Sequence, residues 1–419
     1  MSATVQLPLQ SLNECSKCHN HVPVKLCSNC MEAAYCSEEC QNQDWQQHRS
    51  ACKRTECIDI LTFYPFLALL AALAHSHPMK PLHPAAARQI LNDPNPEVPA
   101  QVFPDDTAAK LIILGQEIPE VPVHERSSSV SWWPSAHTDA VQSKLFSRLV
   151  LQGYRLPIAT SICIAILAQI YTAVPAEGGK KLRLKYRSTP IADFGIAWGS
   201  ADVKCQDTFA FFDEENGVFW KGDDPNNHYW IWFKTVKGEE VILDLSMYQF
   251  NMCMMVQMHP YNETCRSVEL ASAFWSDREI NHNAPSPHTE RGRLSVLHNT
   301  DLHSVVTLGR STLRPQDTRA IWNFMAQISN APLPELENQI TIIWTLANCS
   351  RMKAMLEAQA WRQYPAKPLV AMDFDPDEGR RFAEHEEWAK FLKKWKKLKK
   401  QGGTTYSIAD AFVRWSQRN

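Results

Sequence analysis

The segment Cys15–Cys52 constrains this chain more than any other part of it. Its ligand-type residues come in four close pairs: Cys15-x2-Cys18, Cys27-x2-Cys30, Cys36-x3-Cys40 and His48-x3-Cys52. Seven of the 13 cysteines lie here, and the others (Cys57, Cys163, Cys205, Cys253, Cys265 and Cys349) are scattered. Met1–Asn13 carries neither a basic start nor an apolar core, so no secretory leader is legible and an intracellular, reducing compartment is expected, nucleus or cytoplasm. Clustered cysteines in such a compartment point to metal before disulfides. Zinc takes four N or S ligands in a tetrahedron, so eight ligands make two closed sites. A closed site leaves no position for water, which gives the metal a structural role rather than a catalytic one. Four pairs divide into two sites in three ways, and spacing alone does not choose among them.

The run Ala34-Tyr35-Cys36-Ser37-Glu38-Glu39-Cys40-Gln41, followed by Asp44-Trp45 and His48, closely resembles the MYND-type zinc finger. The resemblance spans residues 15–52 and leaves 1–14 as a tail. It implies two Zn2+ ions, one held by Cys15, Cys18, Cys36 and Cys40, the other by Cys27, Cys30, His48 and Cys52. It also implies a protein–protein interaction module that takes short proline-containing peptides, with Tyr35, Gln41 and Trp45 as candidates for the contact surface. Trp45 has a second possible use, as the core of the finger, which is the commoner fate of such a ring. So short a segment buries too little apolar surface to fold alone, and metal must supply most of its folding free energy. Ser37–Ser50 reads as a helix, with Ser37 as cap and Glu38 and Glu39 in its first turn.

Direct binding of nucleic acid is not expected. The formal net charge is −2. The finger sets only Lys17, Lys25 and Arg49 against Glu14, Glu32, Glu38, Glu39 and Asp44 through Ser50, whereas phosphate binding needs a basic face. A membrane span is not expected either, because the most apolar stretch, Ile58–Ala74, is short and contains Asp59 and Pro65. It reads as a buried helix within 53–77.

Residues 78–131 form a proline-rich stretch, with prolines at 78, 81, 84, 94, 96, 99 and 104. It is expected to be an extended connector, with a short helix at Ala85–Leu91 and a loose stretch at Ser127–Ser129. The α+β body is expected over 132–419. Leu145–Gln152 and Ala159–Tyr171 read as helices. Lys181–Arg187 alternates, with Leu182, Leu184 and Tyr186 facing in and Lys181, Arg183, Lys185 and Arg187 facing out. Gly217–Lys221, His228–Thr235 and Glu240–Leu245 read as strands, the last two joined by a Lys237-Gly238 turn. Arg314–Ile328, Glu335–Asn348, Met352–Trp361, Glu384–Lys400 and Ser407–Trp415 read as helices. The lysines 393, 394, 396, 397, 399 and 400 make either a solvated helix face or a patch for import or an acidic partner.

One further constellation bears on function. Cys163 near the expected start of a helix, His228 opening a strand and Asp244 on the next strand resemble, weakly, the order of transglutaminase-like and papain-like thiol folds. A helix N-terminus lowers a thiol pKa, a histidine takes the proton and an aspartate orients the histidine. The alternative function is therefore a cysteine-dependent hydrolase or acyltransferase using Cys163, His228 and Asp244. Against it, Cys163 lies in Ile162-Cys163-Ile164-Ala165-Ile166-Leu167, an apolar run in which a buried, inert cysteine is the default.

Overall fold

The structure is a computed structural model. It describes residues 4–52, 54–118, 129, 131–173, 181–203, 206–262, 268–277, 286–306, 313–373, 379–404, 406, 410–411 and 414–415. The finger begins with a small ladder, Lys25–Leu26 against Ala34–Tyr35. Helix α1, Glu38–Cys52, follows. Ser37 caps it as expected, its Oγ accepting from the Cys40 N–H at 3.3 Å.

The chain does not leave the finger through a linker. Strand β1, Thr55–Asp59, starts three residues after Cys52. Asp59 then caps α2, Ile60–His75, by accepting from the Leu61 N–H at 3.0 Å. The expected apolar helix of 53–77 is thus a strand followed by a helix. Strands β2, Arg88–Ile90, and β3, Ala108–Glu117, come next. After them run α3, Asp139–Val150, and α4, Arg155–Ile170. The middle of the chain supplies β4, Lys181–Tyr186; β5, Thr189–Ala201; β6, Phe209–Asp213; β7, Val218–Lys221; β8, His228–Thr235; and β9, Glu240–Asp244. Short β10, Phe274–Ser276, and β11, His288–Ser295, complete the strands needed here. The helices α5, Pro315–Ser329, α6, Glu335–Glu357, and α7, Gly379–Lys400, close the chain. The expected α+β class holds, with the two helices read over 335–361 fused into one.

The main sheet runs β10-β9-β8-β5-β4-β1, with β11 also paired to β5. Gly199 of β5 permits that last pairing, because a Cβ there would run into the Thr289 carbonyl of β11. The main core gathers α2, α4 and α6 against this sheet, and Asn348 of α6 donates to Ser161 of α4 at 3.0 Å. A second sheet runs β7-β6-β3-β2, with Gln101–Val102 on its flank. Its core packs Ile112, Leu114 and Phe211 against Trp132, Trp133 and Leu149. Part of the proline-rich stretch is therefore built into a sheet, and its expected helix at 85–91 shrinks to Pro84–Ala87. Ser127 and Ser128 lie outside the described residues.

Among the described residues no single helix is long and apolar enough to cross a membrane. The six lysines of α7 are exposed, while Trp395 on its other side is buried against Tyr406. Most of the expected helix over 407–415 lies outside the described residues.

Candidate functional site

The eight expected ligands gather into two groups. Cys15, Cys18, Cys36 and Cys40 lie together, as do Cys27, Cys30, His48 and Cys52. The first group joins the first and third pairs of the chain, the second joins the second and fourth. Cys18 and Cys36 sulfurs stand 3.6 Å apart, Cys36 and Cys40 3.5 Å, and Cys27 and Cys52 3.7 Å. Sulfurs on a tetrahedral zinc with bonds of about 2.3 Å stand about 3.8 Å apart. Cys30 Sγ lies 3.4 Å from His48 Nε2, against about 3.6 Å for one S and one N ligand on such a zinc. Backbone and side-chain donors also face the sulfurs, as a thiolate requires. Glu32 N–H points at Cys30 Sγ at 3.4 Å and Asn29 Nδ2 at Cys52 Sγ at 3.1 Å. The donor set and its spacing fit two zinc ions.

Residues 15–52 match the MYND finger family. No curated protein and no solved structure matches the chain. The finger is thus a two-zinc MYND module, a domain type that commonly mediates protein–protein interaction.

The three residues expected to contact a peptide separate into two roles. Tyr35 is buried in the finger's core, donates its hydroxyl to Asp44 at 2.7 Å and meets the His48 ring edge-on at 5.9 Å. It holds the module together and is not a free contact surface. Trp45 is 42 % exposed, so it is not the finger's core. Gln41 lies one turn before it on α1 and is half-buried.

The finger is also tied to the body. Glu32 pairs with Lys181 and, at 2.5 Å, with Arg183 of β4. Arg183 was expected to face solvent. It is buried instead, under the finger and over the Tyr171 ring.

In the body, His228 and Asp244 do come together. His228 Nε2 lies 2.5 Å from Asp244 Oδ2, and His288 Nε2, which the sequence reading missed, lies 2.7 Å from the same oxygen. All three side chains are buried. The other carboxylate oxygen accepts from the Ser246 N–H at 2.9 Å and its Oγ at 3.2 Å. Burial on its own would raise the Asp244 carboxyl, but the two imidazoles hold it well below the usual carboxylate range. Burial pushes His228 down, against the pull of Asp244.

The three residues have a ligand-like composition, yet their spacing differs from that of the finger. Nitrogen and oxygen ligands on a tetrahedral zinc would stand about 3.4 Å apart, whereas these atoms sit at hydrogen-bond distance. The outer ring nitrogen of a metal-bound histidine also needs an acceptor. His228 Nδ1 meets Arg155 Nη1 instead, at 3.3 Å, and a guanidinium only donates.

Cys163 does not join this group, which corrects the thiol reading. Helix α4 starts at Arg155 and not near Cys163. Eight residues of helix carry Cys163 about 12 Å along the axis from Arg155. Its thiol is fully buried, and that burial pushes its pKa up, with no charged partner to oppose it.

Proposed function

We propose that the MYND finger docks partner proteins through proline-containing segments laid across Trp45 and Gln41. The observation that carries this reading is Trp45 itself. A large ring left 42 % exposed on a metal-held helix is a preorganised apolar contact, the type of residue that dominates binding hot spots. Proline-rich peptides favour such aromatic surfaces, because they lose little entropy on docking. The same reading places the chain in a reducing compartment, where the ligand thiols stay unoxidised.

The test is a fluorescence-polarisation screen of proline-containing peptides against the zinc-loaded full chain. At least one peptide is expected to bind, with Trp45→Ala weakening it at least tenfold and leaving zinc content unchanged. Absence of any binding peptide, or equal binding by the variant, would overturn the proposal.

A further inference from the structure

The near-neutral total that spoke against nucleic acid conceals a separation of charge. Lys390–Lys400 holds seven lysines, and no Asp or Glu occurs between Glu387 and Asp410. With −2 for the whole chain, everything outside Lys390–Lys400 sums to −9. At 3.6 residues per turn, Lys393, Lys394, Lys396, Lys397 and Lys400 of α7 fall within about 160° of the helix circumference, with Trp395 opposite their middle. All five are exposed. A solvated helix commonly sets an acid one turn from a lysine, as Glu357 stands 3.8 Å from Lys353 on α6. Among the described residues none of the five has such a partner.

Lysines three and four residues apart repel one another, so the stripe weakens the helix that carries it. The opposite side of α7 supplies the support. Trp388 meets Trp415 at 5.4 Å, and the buried Trp395 meets Tyr406 at 6.4 Å. The chain is turned back for these contacts at Gly402, whose φ is +70°, and the Gly403 N–H donates to the Leu398 carbonyl at 2.9 Å. The apolar side of α7 is therefore covered by the chain's own tail, and the lysine side is left to a partner.

That arrangement selects among polyanions. A helix that enters a lipid surface needs its apolar face open, and single strands are held by stacking on exposed aromatic rings. Neither is offered here, since Trp395 is turned to the tail. Charge density separates the remaining classes. Lys393 to Lys400 spans about 10 Å of helix axis, which gives about one charge per 2 Å. Double-stranded DNA carries one per about 1.7 Å of its axis. An extended acidic peptide carries at most one per about 3.3 Å. The stripe matches the first.

We propose that the lysine face of α7 binds the phosphate backbone of double-stranded DNA without reading its sequence. Lysine ammonium groups meet phosphates as point charges and offer no planar fork for base edges. The attraction comes from releasing the counterions condensed on the duplex.

Fluorescence anisotropy of a labelled DNA duplex of mixed sequence, titrated with the zinc-loaded full chain, tests this. Five phosphate contacts predict a slope of about −4.5 for log K against log salt concentration. Replacing Lys393, Lys396, Lys397 and Lys400 together by Gln is expected to weaken binding at least tenfold and to bring the slope to about −1. Replacing the same four by Arg keeps the charge and is expected to leave affinity within threefold. The wild-type slope is read without any variant, so it stands even where the fourfold Gln chain folds poorly. Absence of binding at low salt, a wild-type slope shallower than about −2, or equal binding by the Gln variant overturns the proposal. So does loss of binding in the Arg variant, or tighter binding to polyglutamate or to vesicles of phosphatidylcholine and phosphatidylserine than to the duplex.

Discussion

At the residue scale, Asp244 decides how the body responds to acid. It accepts four hydrogen bonds, from His228, His288 and twice from Ser246. Burial, aided by Arg155 and His288 and opposed by Asp244, puts the folded pKa of His228 below its unfolded value. The stability this provides is present above about pH 6.5 and is lost as protons enter the unfolded chain below it. Asp244 has its pKa lowered too, so its contribution is present above the ordinary carboxylate range and is lost as pH falls through and below about 3.9. Both terms have the same sign. The melting temperature is expected to fall steadily from pH 7 to pH 4 in a calorimetric series. Asp244→Asn is expected to cost about 1.5–3 kcal/mol at pH 7, the usual result of losing hydrogen bonds to a charged acceptor. A flat pH profile in the wild type would contradict this account.

At the element scale, the contrast is between what local pattern encodes and what distant partners impose. The β8–β9 hairpin was legible almost to the residue, because apolar residues alternate around a Lys237-Gly238 turn and Gly238 takes a φ of +80°. The two zinc groups were legible once a family resemblance had chosen among three pairings. The start of α4 was not. Its cap, Tyr154, has a left-handed φ of 60° and makes no side-chain cap bond. Pro157 reads as a breaker, yet it sits in the first turn, where its missing N–H costs nothing. The strands of the proline-rich stretch were hidden for another reason. The partner of β3 outside the stretch, β6, lies about a hundred residues further along the chain, and local propensity carries no record of it.

The outward face read on β4 failed at Arg183, because the finger covers that side chain. Glu32→Gln is expected to leave Arg183 buried beside a neutral partner, with Lys181 also losing its acceptor. A loss of roughly 2–3 kcal/mol is expected, in line with hydrogen bonds to charged groups. Urea unfolding of the full chain would measure it, and an unchanged midpoint would show that the pair contributes nothing.

At the scale of the whole molecule, metal and body are coupled. The second zinc group ends at Cys52, and β1 enters the main sheet at Thr55, paired in parallel from Thr55↔Lys181 to Asp59↔Lys185. Native mass spectrometry is expected to give two zinc ions per chain. A strong chelator is expected to remove them, unfold residues 15–52 and lower the melting temperature of the body by several degrees. The size follows from losing an ion pair and an edge strand's support, where about 1 kcal/mol shifts a domain of 150–250 residues by about 2–4 °C. A body that melts identically with and without metal would show the two parts to be independent.

The short passage from Cys52 to Thr55 also sets the terms on which a partner meets this protein. A peptide held at Trp45, as proposed, would keep its heading relative to the main sheet, because Glu32 of the finger is paired with Lys181 and Arg183 of β4. Any second contact that the partner makes with the body is then presented at one distance and one angle. Partners of matching shape gain from both contacts as though tethered, at an effective concentration that a flexible linker would dilute. Partners of the wrong length gain nothing from the second. If the proposed docking holds, the join would work as a gauge of partner geometry as well as a bond between domains.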